Sequence, residues 1–298
     1  MDVPAERPRE RMAMKKALIV PTFALVVLAV MTGQAREAKD PVAEKYSAQL
    51  NKIFALQARF APLNPALAEV YPVAIVENKM FYVFEPDPAE KAYRLVRTEP
   101  DTMNVPVGIR AAMPLGFWDN RIACVVTGEV FGQPDGYVFI FHEFVHCAQW
   151  ETCEPKLKDR LSIFAEAMKN KDYMWELQYP FPYADPLFVE KYPALLEAWD
   201  GGDALAAGTL RAALKSALSA GEWEYLTWQE WKEGLARFVE NRMRAEVGLP
   251  ENTYGQVPPY SRITFYCGGE KLIRFLERRS PGASKDMEKL YGLMKDGW

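Results

Sequence analysis

Histidine is nearly absent from this chain: 298 residues contain two, and both lie in the pentapeptide His142-Glu143-Phe144-Val145-His146. A site built on three imidazoles is thereby excluded. Cysteine is scarce too, with four in all. Cys124, Cys147, Cys153 and Cys267 never fall into the C-x-x-C spacing of thiolate metal sites, which argues against a cysteine-ligated zinc. Positive charge is not in excess. The formal net charge is −4, so there is no basic footprint for nucleic acid. No internal repeat, low-complexity segment or composition break demands a second domain.

Long apolar runs are also missing. The N-terminal run from Ala17 to Thr32 falls short of the roughly 20 residues that span a bilayer. Arg7, Arg9, Arg11, Lys15 and Lys16 precede it, and Gly33-Gln34-Ala35 follows with small residues placed for a cut after Ala35. Basic flank, short apolar run and small-residue site together predict a secretory signal peptide over residues 1–35. An uncleaved N-terminal anchor is the alternative. The expected location is therefore exported, periplasmic or secreted, with membrane contact only if the segment stays in place. Export permits disulfides. A Cys147–Cys153 bridge could pin the end of the helix that carries the histidines, and four buried free thiols are an equal alternative.

What the chain does have is apolar material: eight Trp, sixteen Phe and fourteen Tyr allow a large core. From Pro41 to about Val70 the spacing of Ala43, Tyr46, Leu50, Ile53 and Leu56 is helical, and Leu63-Asn64-Pro65 breaks it. Val73–Val76, a Glu77-Asn78-Lys79 turn and Met80–Phe84 read as a hairpin. Tyr93–Val96 and Arg121–Thr127 read as further strands, with a turn around Met113–Asn120 between them. After Trp150 the pattern is mostly helical, over Lys156–Lys169, Pro186–Trp199 and Ala204–Leu218. The expected class is α+β: a small, mostly antiparallel sheet followed by a largely helical C-terminal half, within a single domain over 36–298.

The two histidines stand four apart, and on a helix such positions share a face. Both imidazoles can then address one ion, and Glu143, next to His142, can reach a water on it. This is the arrangement of a metal-assisted hydrolase, in which the ion acidifies water and a carboxylate takes the proton. A core helix with two satisfied histidines is the plainer alternative, but it gives no reason why histidine occurs nowhere else. Two histidines do not hold a catalytic zinc; a third protein ligand is expected, and with no histidine left it should be a carboxylate. The best segment is Trp228–Glu240. It is helical by pattern, with Trp231, Leu235 and Phe238 on one face and Glu230, Glu233, Arg237 and Glu240 on another. On spacing alone the second face reads first as a solvated charged stripe, with a ligand-bearing one as the alternative.

The motif HEFVH followed by Trp231-Lys232-Glu233-Gly234-Leu235-Ala236-Arg237-Phe238 resembles the gluzincin zinc peptidases, the aminopeptidase N-like and thermolysin-like enzymes. The resemblance implies a zincin-like catalytic domain, one Zn2+ ion held by His142, His146 and Glu233, and Glu143 as general base. Gly234 would let a neighbouring helix approach closely. Phe265-Tyr266-Cys267-Gly268-Gly269-Glu270 is similar to the segment in which that family carries an oxyanion-binding tyrosine, which implies that role for Tyr266, with Tyr260 as second candidate. Arg237, Glu240 and Gln149 are candidates for orienting the ligands. The stretch between His146 and Glu233 is several times longer than in that family, and this sets off a helical insert at about 155–222. The family's G-x-M-E-N motif is absent, so recognition of a free amine is not implied. The function expected is an exported zinc-dependent peptidase acting on peptide or protein substrates, without nucleic-acid partners. The alternatives are a non-catalytic binding or structural module of zincin-like fold, or a zinc hydrolase acting on a non-peptide substrate.

Overall fold

The computed structural model describes residues 40–296; the expected signal peptide lies outside the described residues. Helix α1 (Pro41–Phe60) begins where Asp40 accepts the N–H groups of Val42 and Ala43, with Pro41 in the first turn, a combination that suits a helix start. It ends earlier than the apolar spacing suggests, giving way to 3-10 turns at Ala61–Leu63 and Pro65–Leu67. Pro62 has no N–H to continue the ladder, so the break falls there rather than at Pro65.

Five strands follow: β1 (Val73–Glu77), β2 (Met80–Asp87), β3 (Ala92–Pro100), β4 (Arg110–Leu115) and β5 (Arg121–Thr127). The β1–β2 turn places Asn78 and Lys79 at φ 51° and 60°, the left-handed pair that matches strand twist in a two-residue hairpin. The sheet runs β3-β2-β1-β5-β4, antiparallel throughout except for the parallel β1–β5 pair. Side chains alternate between its faces. Val73, Ile75, Cys124 and Val126 enter the main core, whereas Ala74, Val76, Ala123 and Val125 join a smaller cluster covered by Val105, Ile109 and Phe117. The smaller cluster gives β4 its place. The expected turn at Met113–Asn120 overlaps the end of this strand, and Ala111, Ala112 and Pro114 have little strand preference of their own. At the sheet edge a proline is tolerated.

Helix α2 (Gly136–Thr152) crosses the main-core face. Its first residue must be glycine, since a Cβ there would lie 1.7 Å from the Val130 carbonyl oxygen. Phe141 and Phe144 pack edge-on against Phe60 and Tyr71. Then come α3 (Glu154–Lys158), α4 (Ser162–Asn170), α5 (Trp175–Gln178), α6 (Pro186–Gly201) and α7 (Ala204–Ala217). Lys156–Lys169 is thus two helices rather than one. The cause is Glu224, whose carboxylate accepts Ser162 Oγ–H and the Ile163 N–H at 2.8 and 2.9 Å and so anchors a fresh helix start.

The longest helix, α8 (Ala220–Glu246), opens on a Ser219–Glu222 capping box. Helix α9 (Thr264–Arg279) and α10 (Met287–Asp296) pack beside it; α10 has no counterpart in the sequence reading. Gly234 of α8 meets Gly269 of α9 so closely that a Cβ on Gly234 would lie 2.5 Å from the Gly269 Cα. The small α+β sheet and helical C-terminal half match expectation. All four cysteines are buried and free. Cys147 and Cys153 are six residues apart, about 1.7 helical turns, and Cys153 lies just past the end of α2. Among the described residues no helix is long and apolar enough to cross a membrane.

Candidate metal centre

Helices α2 and α8 cross so that the HEFVH stripe faces the charged stripe of α8. His142, His146 and Glu233 converge, each buried, with one candidate ligand atom apiece and all three atoms within 4.8 Å of one another. Glu233 Oε2 lies 3.2 Å from His146 Nε2 and 3.9 Å from His142 Nε2. Ligands about 2.0–2.2 Å from a tetrahedral ion lie roughly 3.3–3.5 Å apart, so small rotations would bring these three onto one centre. Among the described residues this is the one such group of His, Cys, Asp and Glu. It can hold a metal ion.

The imidazoles are held from behind. His142 Nδ1–H donates to Glu240 Oε2 at 2.9 Å, and His146 Nδ1–H donates to Gln149 Oε1 at 2.8 Å. Both Nε2 atoms are left facing the centre. Gln149 is itself fixed, because its Nε2 donates to the Lys232 carbonyl at 3.1 Å. Glu240 also accepts from Arg244 Nε and Asn252 Nδ2, each at 2.8 Å, and Arg237 Nε stands 3.2 Å away. Of the three expected ligand-orienting residues, Glu240 and Gln149 bond the imidazoles directly and Arg237 stands against Glu240. The stripe is not a solvated face: Glu230 and Glu240 are 0 % exposed, Arg237 5 % and Glu233 8 %.

The electrostatics follow from burial. Desolvation works against every charge here, yet the Glu233 carboxylate beside it pushes His146 up to about 9. Glu233 is driven well below the ordinary carboxylate range, because His146, Arg262 and His142 outweigh its own desolvation. Glu240 falls to about 2, where the bond from His142 and the Arg237 charge outweigh burial. These shifts favour a protonated His146 beside an ionised Glu233.

Glu143 is buried on the same helix, and its Oε2 accepts the Ala112 N–H of β4 at 2.8 Å. Strand β4 pairs with β5 on one side only. Because alternate residues share a direction, the N–H that Ala112 turns to Glu143 means that Arg110 and Ala112 direct their backbone polar groups to the open edge, beside the histidines. Tyr266 is half-buried on α9, with its ring stacked toward His142 at 6.5 Å between centroids. Burial, then the Glu233 carboxylate against its hydroxyl, push the phenol well above its ordinary range. Tyr260 instead packs edge-on against Phe188 at 6.1 Å, so Tyr266 is the tyrosine at the centre.

Sequence reasoning missed Arg262. From the loop before α9 its Nη1 donates to Glu233 Oε1 at 3.0 Å and to Gln229 Oε1 at 3.4 Å. An isolated arginine in a loop carries no spacing signal. It also missed Lys232, which bonds Glu154 and Glu176 at 2.9 and 2.7 Å and fastens α3 and α5 to α8 beside the ligand. No family model matches the chain, and no curated protein or solved structure matches it either.

Proposed function

We propose that the protein is an exported zinc-dependent peptidase. The observation that carries this reading is the convergence of His142 Nε2, His146 Nε2 and a Glu233 carboxylate oxygen with a fourth group, Glu143, held beside them by a backbone N–H. Two imidazole nitrogens and one carboxylate oxygen suit zinc and leave a coordination position open. When bound, zinc supplies Lewis-acid activation of water and of the scissile carbonyl.

The chain's own residues do the rest. Glu143, with Oε2 bonded to Ala112, keeps Oε1 available to take the proton of the attacking water and pass it to the leaving amine. Tyr266 donates its phenolic O–H to the oxygen on which charge develops, so it is bonded most strongly where stabilisation speeds the reaction. Its high pKa keeps the donor protonated. The outward backbone groups of Arg110 and the Ala112 carbonyl can pair with an extended substrate as one more strand, while the Ala112 N–H stays on Glu143. Glu240 and Gln149 fix the imidazole tautomers so that Nε2 carries a lone pair toward the ion.

The test is hydrolysis of a mixed peptide library by zinc-loaded wild type and Glu143→Gln. Removing the base should cut turnover by about 10²–10⁴-fold while leaving zinc content unchanged. Equal turnover by the two proteins would rule the mechanism out. Zinc bound stoichiometrically without hydrolysis of any peptide would favour a non-peptide substrate. Absence of zinc would favour a binding or structural module.

A further inference from the structure

A cleft of about 860 Å³ opens beside Tyr266, between α8 and the loop 251–263, and three guanidinium groups line it: Arg237, Arg244 and Arg262. Two of them are spent within the protein. Arg237 is 3.2 Å from Glu240 and donates to the Asn252 carbonyl at 3.0 Å. Arg244 donates to Glu240 at 2.8 Å and to Asp135 at 2.9 Å. Arg262 differs. Only its Nη1 is bonded, to Glu233 and Gln229; among the described residues neither Nε nor Nη2 has a partner. Its side chain is 24 % exposed, and its guanidinium lies 5.1 Å from the centre of the Tyr266 ring.

We propose that Arg262 binds a carboxylate of the substrate, so that the cleft selects peptides carrying a negative charge near the scissile bond, on an acidic side chain or on the C-terminus. The inference rests on the peptidase reading and deepens it. Charge supports it. A divalent ion at the centre would balance Glu143 and Glu233, while Arg237 and Arg244 balance Glu240 and Asp135. Glu251, the other acid on the wall, is taken up by Arg274 at 2.7 Å, which also holds Glu270. Arg262 is the one arginine lining the cleft whose carboxylate partner, Glu233, would be shared with the ion. Geometry supports it too. Pinning Nη1 on Glu233 holds the side chain in one orientation, so its remaining N–H edge is presented with little rotamer freedom left to lose. That edge is the fork that accepts a carboxylate through paired bonds.

The test measures binding to zinc-loaded Glu143→Gln protein by titration calorimetry, using N-acetylated peptides in two matched pairs: free acid against C-terminal amide, and glutamate against glutamine within the chain. One pair should show the carboxylate form binding roughly tenfold tighter or more, and which pair does so identifies the source of the charge. That ratio should fall to about one in the Arg262→Gln background and be partly kept in Arg262→Lys. Zinc content is measured on each protein, so lost metal is separated from lost selectivity. Equal affinities in both pairs, a preference that survives Arg262→Gln, or no binding of any peptide overturns the inference. The underlying reading is judged apart, by Glu143-dependent cleavage in wild type. Cleavage without acid preference removes only the role of Arg262, whereas acid-selective binding without cleavage removes the peptidase reading and keeps Arg262 as a carboxylate binder.

Discussion

Two carboxylates one turn apart on α8 meet opposite fates. Glu230 and Glu233 are both buried among charges. Glu230 receives Tyr192 O–H at 2.8 Å and pairs with Arg211 at 2.8 Å, which ties α6 and α7 to α8. Burial outweighs both partners, and its pKa is raised. Glu233 meets two imidazole nitrogens and Arg262; there the neighbours win and its pKa is lowered. Burial of an acid is therefore not what marks a site. What marks it is convergence: Glu233 shares its oxygen with groups that also bind metals and are themselves held from behind, whereas Glu230 closes a pair that needs nothing further.

The contrast can be broken at each end. The largest effect on stability belongs to Glu230→Ala, which leaves the Arg211 charge buried without its carboxylate and should cost about 3–5 kcal/mol. Thermal unfolding should show this as a fall of roughly 10 °C, with metal content unchanged. Glu233→Ala should do the reverse. Four-ligand zinc sites bind with about 10–16 kcal/mol, so one ligand is worth roughly 3–4 kcal/mol, or about 10²–10³-fold in affinity, read by competition with a chelator. Glu240→Gln keeps the shape but weakens the hold on His142, and should lower zinc affinity about 10–100-fold.

The smallest effect is one of pH. In the metal-free protein the His146 pKa is raised from 6.5 to about 9. The stability this contributes is fully present below about 6.5 and is lost as pH rises through about 9. Zinc needs the neutral imidazole, so its affinity should climb up to about tenfold per pH unit on approaching pH 9 and level off above it. At pH 7.5 zinc uptake should release about one proton from His146, measured by calorimetry in buffers of different ionisation enthalpy.

Much of this was legible beforehand where period and composition act locally. The scarcity of histidine isolated His142 and His146, and the 3.6-residue spacing put Glu230, Glu233, Arg237 and Glu240 on one stripe. Spacing could not say whether that stripe met water or α2, because the answer lies in which helix crosses it. Nor could it separate Glu230 from Glu233, since their partners Tyr192, Arg211 and Arg262 come from distant parts of the chain. The hairpin at Asn78-Lys79 was readable because its turn chemistry is local. Strand β4 was not, because Arg110–Leu115 owes its strand state to pairing with β5 and to the cluster beneath it rather than to its own residues. The end of α1 is set by Pro62 rather than Pro65, a choice between two prolines that the apolar spacing does not make.

The central claim is that His142, His146 and Glu233 hold one divalent ion while Glu230 serves only the packing. The most direct measurement is a zinc titration, followed by elemental analysis, of the wild type, Glu233→Ala and Glu230→Ala proteins side by side. One equivalent per chain in wild type and in Glu230→Ala, with loss of tight binding in Glu233→Ala, is the result expected. No saturable zinc in the wild type, or equal binding by all three, would contradict the account.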